Sequence, residues 1–100
     1  MDDAKAILNQ IRVVDLLNSG LITLQDIFRF KSGSGYRGPE VKVLSDGNFE
    51  IVGDSVFSSP SSLASYISGG KSYNGWQVIA RSSDGVSLDE LRKRHTNREQ

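Results

Sequence analysis

The most informative segment of the chain reads Ser58-Ser59-Pro60-Ser61-Ser62-Leu63-Ala64, and Asn74-Gly75-Trp76 follows ten residues later. Ser59 is a residue type that caps helix N-termini, and Pro60 fits the first helical position because its missing N–H costs nothing there. The segment therefore predicts a helix over residues 60–68. The first turn of such a helix presents backbone N–H groups beside serine hydroxyls, which suits an anion such as phosphate, although capping alone also explains the pattern.

The sequence around this segment alternates between helical and extended patterns. Apolar residues at helical spacing predict helices, and strict alternation predicts strands. Helices are expected over residues 2–9, 13–18 with a left-handed cap at Gly20, and 87–95 with Ser87 as the cap. Strands are expected over residues 27–30, 40–44, 49–52, 54–57 and 76–80, the second and third forming a hairpin around Asp46-Gly47. We predict a single α+β domain, a small antiparallel sheet with several short helices packed on it. It would divide into an N-terminal helix at 1–12, the main domain at 13–95 and a frayed tail at 96–100.

A glycine- and serine-rich segment, Lys31 to Pro39, predicts a mobile loop. Within it Lys31, Tyr36 and Arg37 interleave basic and aromatic side chains, a pattern that is modestly typical of nucleic-acid contact. A plain surface loop is the alternative interpretation.

Composition excludes several classes of function. The chain has 100 residues, twelve basic and twelve acidic side chains, no cysteine and one histidine, His95. Disulfides, thiolate metal sites and cysteine nucleophiles are therefore excluded, and a serine–histidine–aspartate arrangement is not credible. We expect no catalytic residue, no metal and no cofactor. No apolar run approaches transmembrane length and no signal peptide is visible, so we expect a cytoplasmic protein without a membrane partner.

Three further side chains are candidates for phosphate contact. Lys71 follows the serine-rich helix, and Trp76 has an indole N–H that a phosphate oxygen could satisfy, although a core anchor is the commoner role of tryptophan. Arg92 lies beside the apolar face formed by Leu88 and Leu91, so we expect its guanidinium at the margin of that face, within reach of solvent. Its alternative role is an ion pair with Asp89 three residues earlier.

Five motifs together resemble the RAMA domain, the restriction-enzyme and adenine-methylase-associated module. They are Asp15–Ile22, the strand pair Val41–Val52, Ser59–Ser61, Asn74–Trp76 and Leu88–Arg92. The resemblance spans roughly residues 13 to 94, and the pairing of Ser-Pro-Ser with Asn-Gly-Trp carries most of it. Val78 stands where the family often has a second aromatic residue, so no two-aromatic stacking surface is expected.

The resemblance implies a non-enzymatic module that contacts duplex DNA or senses its modification, linked to restriction-modification or DNA methylation. A methyltransferase or nuclease, as a partner or a fused domain, is implied as well. The phosphate-facing residues implied by the resemblance are Ser59, Asn74, Trp76 and Arg92. The pattern around the serine-rich helix adds Ser61 and Lys71. The zero net charge favours a different hypothesis, a protein-interaction module that docks through the apolar helix from Ala4 to Ile11. A fragment of a small enzyme is the third alternative.

Overall fold

The computed structural model describes residues 10–33 and 35–99, which form an α+β domain. Its elements are α1 (Val13–Ser19), β1 (Ile27–Ser32), β2 (Gly35–Val43), β3 (Phe49–Ile51), β4 (Val56–Phe57), α2 (Pro60–Ile67), α3 (Gly75–Val78), β5 (Ile79–Arg81) and α4 (Leu88–Glu99). The five strands form one sheet in the order β4-β3-β2-β1-β5, and every neighbouring pair is antiparallel. The predicted fold class is confirmed. None of the described helices has the length and apolar character needed to cross a bilayer.

The core lies between one face of the sheet and the helices. Alternation along β1 turns Phe28 and Phe30 inward, and Phe28 meets Phe49 edge to face with ring centroids 6.5 Å apart. Helices α1, α2 and α4 complete the same apolar cluster through Leu16, Leu63 and Leu91 respectively. Each of these side chains is completely or almost completely buried, so the apolar periodicity of the sequence corresponds to real burial.

Several local predictions are confirmed. Helix α1 ends at Gly20, whose φ of 83° is the left-handed conformation that glycine adopts without steric cost. The hairpin around Asp46-Gly47 pairs Val43 with Phe49 and Val41 with Ile51. A short strand, β4, follows as expected. Of the helix predicted over residues 1–12, residues 1–9 lie outside the described part of the chain, and Arg12 is extended where it leads into α1.

The loop predicted from Lys31 to Pro39 is wrong. Lys31 pairs with Tyr36 and Ser32 with Gly35, so β1 and β2 form a hairpin that turns next to Gly33. Between the pairs Phe28–Val41 and Phe30–Arg37, one residue of β1 faces three residues of β2, a wide irregularity that absorbs Gly38 and Pro39. The glycines that suggested mobility provide the turn and this irregularity. Ser34 lies outside the described residues.

The strand predicted over Trp76 to Ala80 is also largely wrong. Residues 75–78 form the short helix α3, and extended structure begins only at Ile79. Asn74 caps this helix instead of forming a tight turn, because its Oδ1 accepts a hydrogen bond from the Trp76 N–H at 3.1 Å. The last helix is longer than predicted and continues through Glu99.

Candidate functional site

The start of helix α2 has few free donors for an anion. Ser59 caps the helix as predicted, since its Oγ accepts a hydrogen bond from the Ser62 N–H at 3.1 Å. Pro60 has no N–H to offer. The Ser62 hydroxyl is engaged with Ser59 as well, at 2.9 Å from Oγ and 3.0 Å from the carbonyl oxygen. Among the first three helical positions, only the N–H of Ser61 is left without a partner in the described residues. The local hydrogen bonding therefore supports capping more than anion binding.

Ser61 joins the two sequence motifs. Its Oγ accepts a hydrogen bond from the Gly75 N–H at 3.1 Å. At the same point the backbones of α2 and α3 are in close contact: a Cβ on Gly75 would lie 2.0 Å from the carbonyl carbon of Pro60 and 2.1 Å from its oxygen. The Ser-Pro-Ser and Asn-Gly-Trp motifs are therefore two halves of one packing joint, and glycine is needed at residue 75 because no side chain fits there.

Trp76 and Arg92 are held together beyond this joint. The Arg92 guanidinium carbon lies 4.3 Å from the centroid of the Trp76 ring, and Nη2 donates to the Asp89 carboxylate at 2.8 Å. Arg92 is only 9% exposed, and its Nε is buried without a hydrogen-bond partner among the described residues. The expectation that Arg92 reaches solvent is wrong, because Trp76 covers the margin of the apolar helix face on which it lies. The expected ion pair with Asp89 is present.

Asp89 holds two cations of different exposure. Its Oδ2 lies 3.3 Å from Nζ of Lys93, whose side chain is 55% exposed, while Oδ1 receives the hydrogen bond from the buried Arg92. Burial acts to raise the pKa of Asp89, but hydrogen bonds from Arg92 and Lys93 outweigh it and the pKa lies below its ordinary value. The carboxylate is therefore ionised at neutral pH.

This lowered pKa gives a prediction for acid stability. A group with a depressed pKa in the folded state stabilises the fold above its unfolded pKa, about 3.9, and loses that contribution as the pH falls through the folded value. We expect the free energy of unfolding to fall below about pH 4, and to fall less steeply in Asp89→Asn. Urea unfolding between about pH 3 and 7 measures this difference. Identical pH profiles for the variant and the wild type would contradict it.

Two exposed cations, Arg37 and Lys71, lie on chain segments that contact the Phe30 ring of β1. Arg37 is exposed, and its guanidinium carbon lies 5.3 Å from the centroid of the Phe30 ring. Tyr73 packs edge to face on Phe30 with centroids 5.2 Å apart and is 37% exposed. Lys71, two residues before Tyr73, is exposed, and its carbonyl oxygen accepts from the Ser68 hydroxyl at the end of α2. We call Arg37, Lys71 and Tyr73 the basic patch.

The basic patch unites residues from both groups predicted from sequence. The sequence analysis considers Lys71 together with the serine-rich helix and Arg37 together with the segment Lys31 to Pro39, and the Phe30 ring joins these two segments. Lys31 and Tyr36 are not part of it, because they bond instead to the backbone: Lys31 Nζ to the Gly85 oxygen at 3.2 Å and the Tyr36 hydroxyl to the Arg81 oxygen at 3.5 Å. Sequence reasoning missed Tyr73, although an aromatic residue close to Lys71 was an available signal.

Nothing in the described residues forms a metal centre. No group of three or more histidine, aspartate or glutamate side chains in ranges 10–33 and 35–99 lies close enough to hold an ion. The candidate site thus consists of a rigid joint, a buried cation–aromatic pair and an exposed basic patch.

A family model described as Restriction Enzyme Adenine Methylase Associated matches residues 5–100, nearly the whole chain. The search of curated proteins found no match.

Proposed function

The chain belongs to the restriction-enzyme and adenine-methylase associated (RAMA) family, and from this we propose that it is a non-enzymatic module that binds duplex DNA through phosphate contacts. We further propose that it serves a restriction or methylation system, with a methyltransferase or nuclease as its partner or as a fused domain. The composition supports a binding role over catalysis, because the chain has no cysteine and a single histidine.

The basic patch is the observation that carries the proposal. Arg37 and Lys71 are exposed, and neither forms an ion pair with another described residue. Lys93 and Arg94 are also exposed, but they lie within 3.3 Å and 3.7 Å of carboxylate oxygens on the same helix. Cations without a carboxylate partner are available to a phosphate, and such contacts position a protein on DNA without reading its sequence.

The residues inferred from the family resemblance have a supporting role in this proposal. Ser61 and Asn74 hold the start of α3, while Arg92 fixes Trp76 directly after it. These contacts anchor one end of the segment that carries Lys71 and Tyr73. Ser59 caps the N-terminus of α2, the helix that precedes this segment. We therefore propose that the exposed Lys71 and Arg37, and not the buried Arg92, contact phosphate.

We expect Arg37→Ala combined with Lys71→Ala to weaken binding to a labelled duplex by about tenfold or more, nearly equally for unrelated sequences, because charge-assisted phosphate contacts are lost. The slope of log affinity against log salt should become shallower by about 2, roughly one unit for each lost contact. Fluorescence anisotropy at several salt concentrations measures both quantities.

The matched control removes two other positive charges. Lys93→Ala with Arg94→Ala changes the net charge equally but removes cations that are already neutralised, so affinity should change by less than about threefold. Equal losses in the two double variants would show that net charge alone governs binding. Wild-type affinity in the Arg37/Lys71 variant would overturn the proposed contact surface.

The rival hypothesis of docking through Ala4 to Ile11 has less support. Residues 4–9 lie outside the described part of the chain. Ile11 is only 8% exposed and packs in the core cluster, so it is not available to a partner.

A further inference from the structure

A groove lies beside Trp76, on the side of the molecule where α1, the β2–β3 turn and the start of α2 meet. Its volume is about 390 Å³, within the range of small-ligand sites. The lining includes Trp76, Pro60, Val13, Arg12, Asn48 and Ser58. We call it the Trp76 groove. Its walls are partly apolar and partly polar, which is the composition expected of a site for an amphipathic ring.

Trp76 is a rigid wall of this groove. Arg92 lies over its ring, and Asp89 fixes Arg92 in turn, while the backbone of α3 is bound to α2 through Gly75. The Trp76 side chain nevertheless remains partly exposed. An aromatic ring that is held in place and still accessible loses little conformational freedom when another ring stacks on it.

The charges of the groove favour a neutral ring over a free anion. Arg12 contributes one positive charge, and the Asp46 carboxylate in the same lining offsets it. The Asn48 side-chain nitrogen donates to Asp46 at 3.2 Å. The side-chain oxygen of Asn48 has no hydrogen-bond partner among the described residues. The Ser58 hydroxyl is exposed and likewise has no hydrogen-bond partner in the described chain. These groups can pair with the polar edge of a heteroaromatic ring.

We propose that the Trp76 groove receives one unpaired nucleobase of a DNA strand, stacked against the indole. This inference rests on the proposed function. Tyr73 of the basic patch lies three residues from Trp76, which lines the groove, so the Cα atoms of these two residues are no more than about 11 Å apart. A strand whose phosphates contact the basic patch can therefore present a base to the groove.

Trp76 is the only tryptophan in the chain, so its fluorescence reports directly on the groove. The experiment compares a fully paired duplex with the same duplex carrying one unpaired adenine. We expect the unpaired adenine to quench Trp76 emission and to raise affinity by about tenfold, the scale of one base–aromatic stack. Equal affinity for the two duplexes would overturn the inference without any variant.

Ser58→Phe tests the location, because a bulky side chain from this exposed position would fill the groove. It should abolish the quenching and the tenfold preference while leaving affinity for the paired duplex unchanged. Ser83→Phe is the control, since Ser83 is exposed and does not line the groove. Quenching that survives Ser58→Phe would overturn the groove as the site. Failure of the paired duplex to bind at any salt concentration would instead count against the proposed function.

Discussion

We expect Gly75→Ala to lower the free energy of unfolding by about 3 kcal/mol or more, because the added methyl group would overlap with backbone atoms of the neighbouring helix. A Cβ at this position would meet three backbone atoms of Pro60 and Ser61 at 2.0 to 2.4 Å. Backbone cannot rotate away as a flexible side chain can, so α2 and α3 would have to separate. Overpacking in a core typically costs about 1–3 kcal/mol. Because the clash here is with backbone atoms, we expect a cost at or above the upper end of this range.

For a domain of this size, 3 kcal/mol corresponds to a decrease in melting temperature on the order of 15 °C. Circular dichroism melts or urea unfolding measure it. Gly35→Ala is the matched control, since Gly35 has an ordinary φ and the nearest atom to its added Cβ lies 4.0 Å away. If the two glycine variants were equally stable, the joint between the motifs would not be as tight as described.

Arg92→Ala is expected to have the second largest effect, a loss of about 2–3 kcal/mol. Removing one partner of a largely buried ion pair leaves the other charge uncompensated, which costs about 3–5 kcal/mol when burial is complete. Asp89 remains 20% exposed and keeps Lys93, so a smaller loss is expected. The cation–aromatic contact with Trp76 is also lost, which adds to the cost.

Lys93→Ala is the control because it acts on the same carboxylate from an exposed position. It should cost no more than about 1 kcal/mol. Urea unfolding gives both values, and the emission of Trp76 should shift only in Arg92→Ala because only that variant uncovers the ring. An Arg92→Ala protein as stable as Lys93→Ala would show that the buried contacts contribute little.

Local sequence signals predicted the parts of the fold that depend on neighbours in the chain. Ser59 before Pro60, Gly20 after α1 and Asp46-Gly47 between two alternating segments each specify a backbone conformation within a few residues. The match of the family model over residues 5–100 confirms the family resemblance. The packing of the Ser-Pro-Ser motif against Asn-Gly-Trp became visible only in the structure.

Several of the failed predictions involve contacts between distant segments. Gly38 looked like part of a loop, but it belongs to β2 and a Cβ there would lie 2.6 Å from the side chain of Ile67. The dipeptide Asn74-Gly75 predicts a tight turn because Asn and Gly favour turns. The packing of Gly75 on Pro60 cannot be inferred from the local sequence. Arg92 looked exposed because helical periodicity describes its own helix and not the indole that covers it. In the candidate site, sequence identified Lys71 and Arg37 but could not show that Phe30 joins their segments.

The strand order has a consequence for the chain while it is being synthesised. Strand β1 pairs with β2 almost at once, but its other partner, β5, is made about fifty residues later. Until β5 is made, the edge of β1 from Phe28 to Phe30 has unpaired backbone N–H and C=O groups. Exposed strand edges of this kind are sites where aggregation can start. Arg29 and Lys31 alternate with Phe28 and Phe30 along this strand. Like charges at alternate positions oppose edge-to-edge pairing of two strands, so we expect Arg29 and Lys31 to limit association of β1 with a second chain before β5 is made.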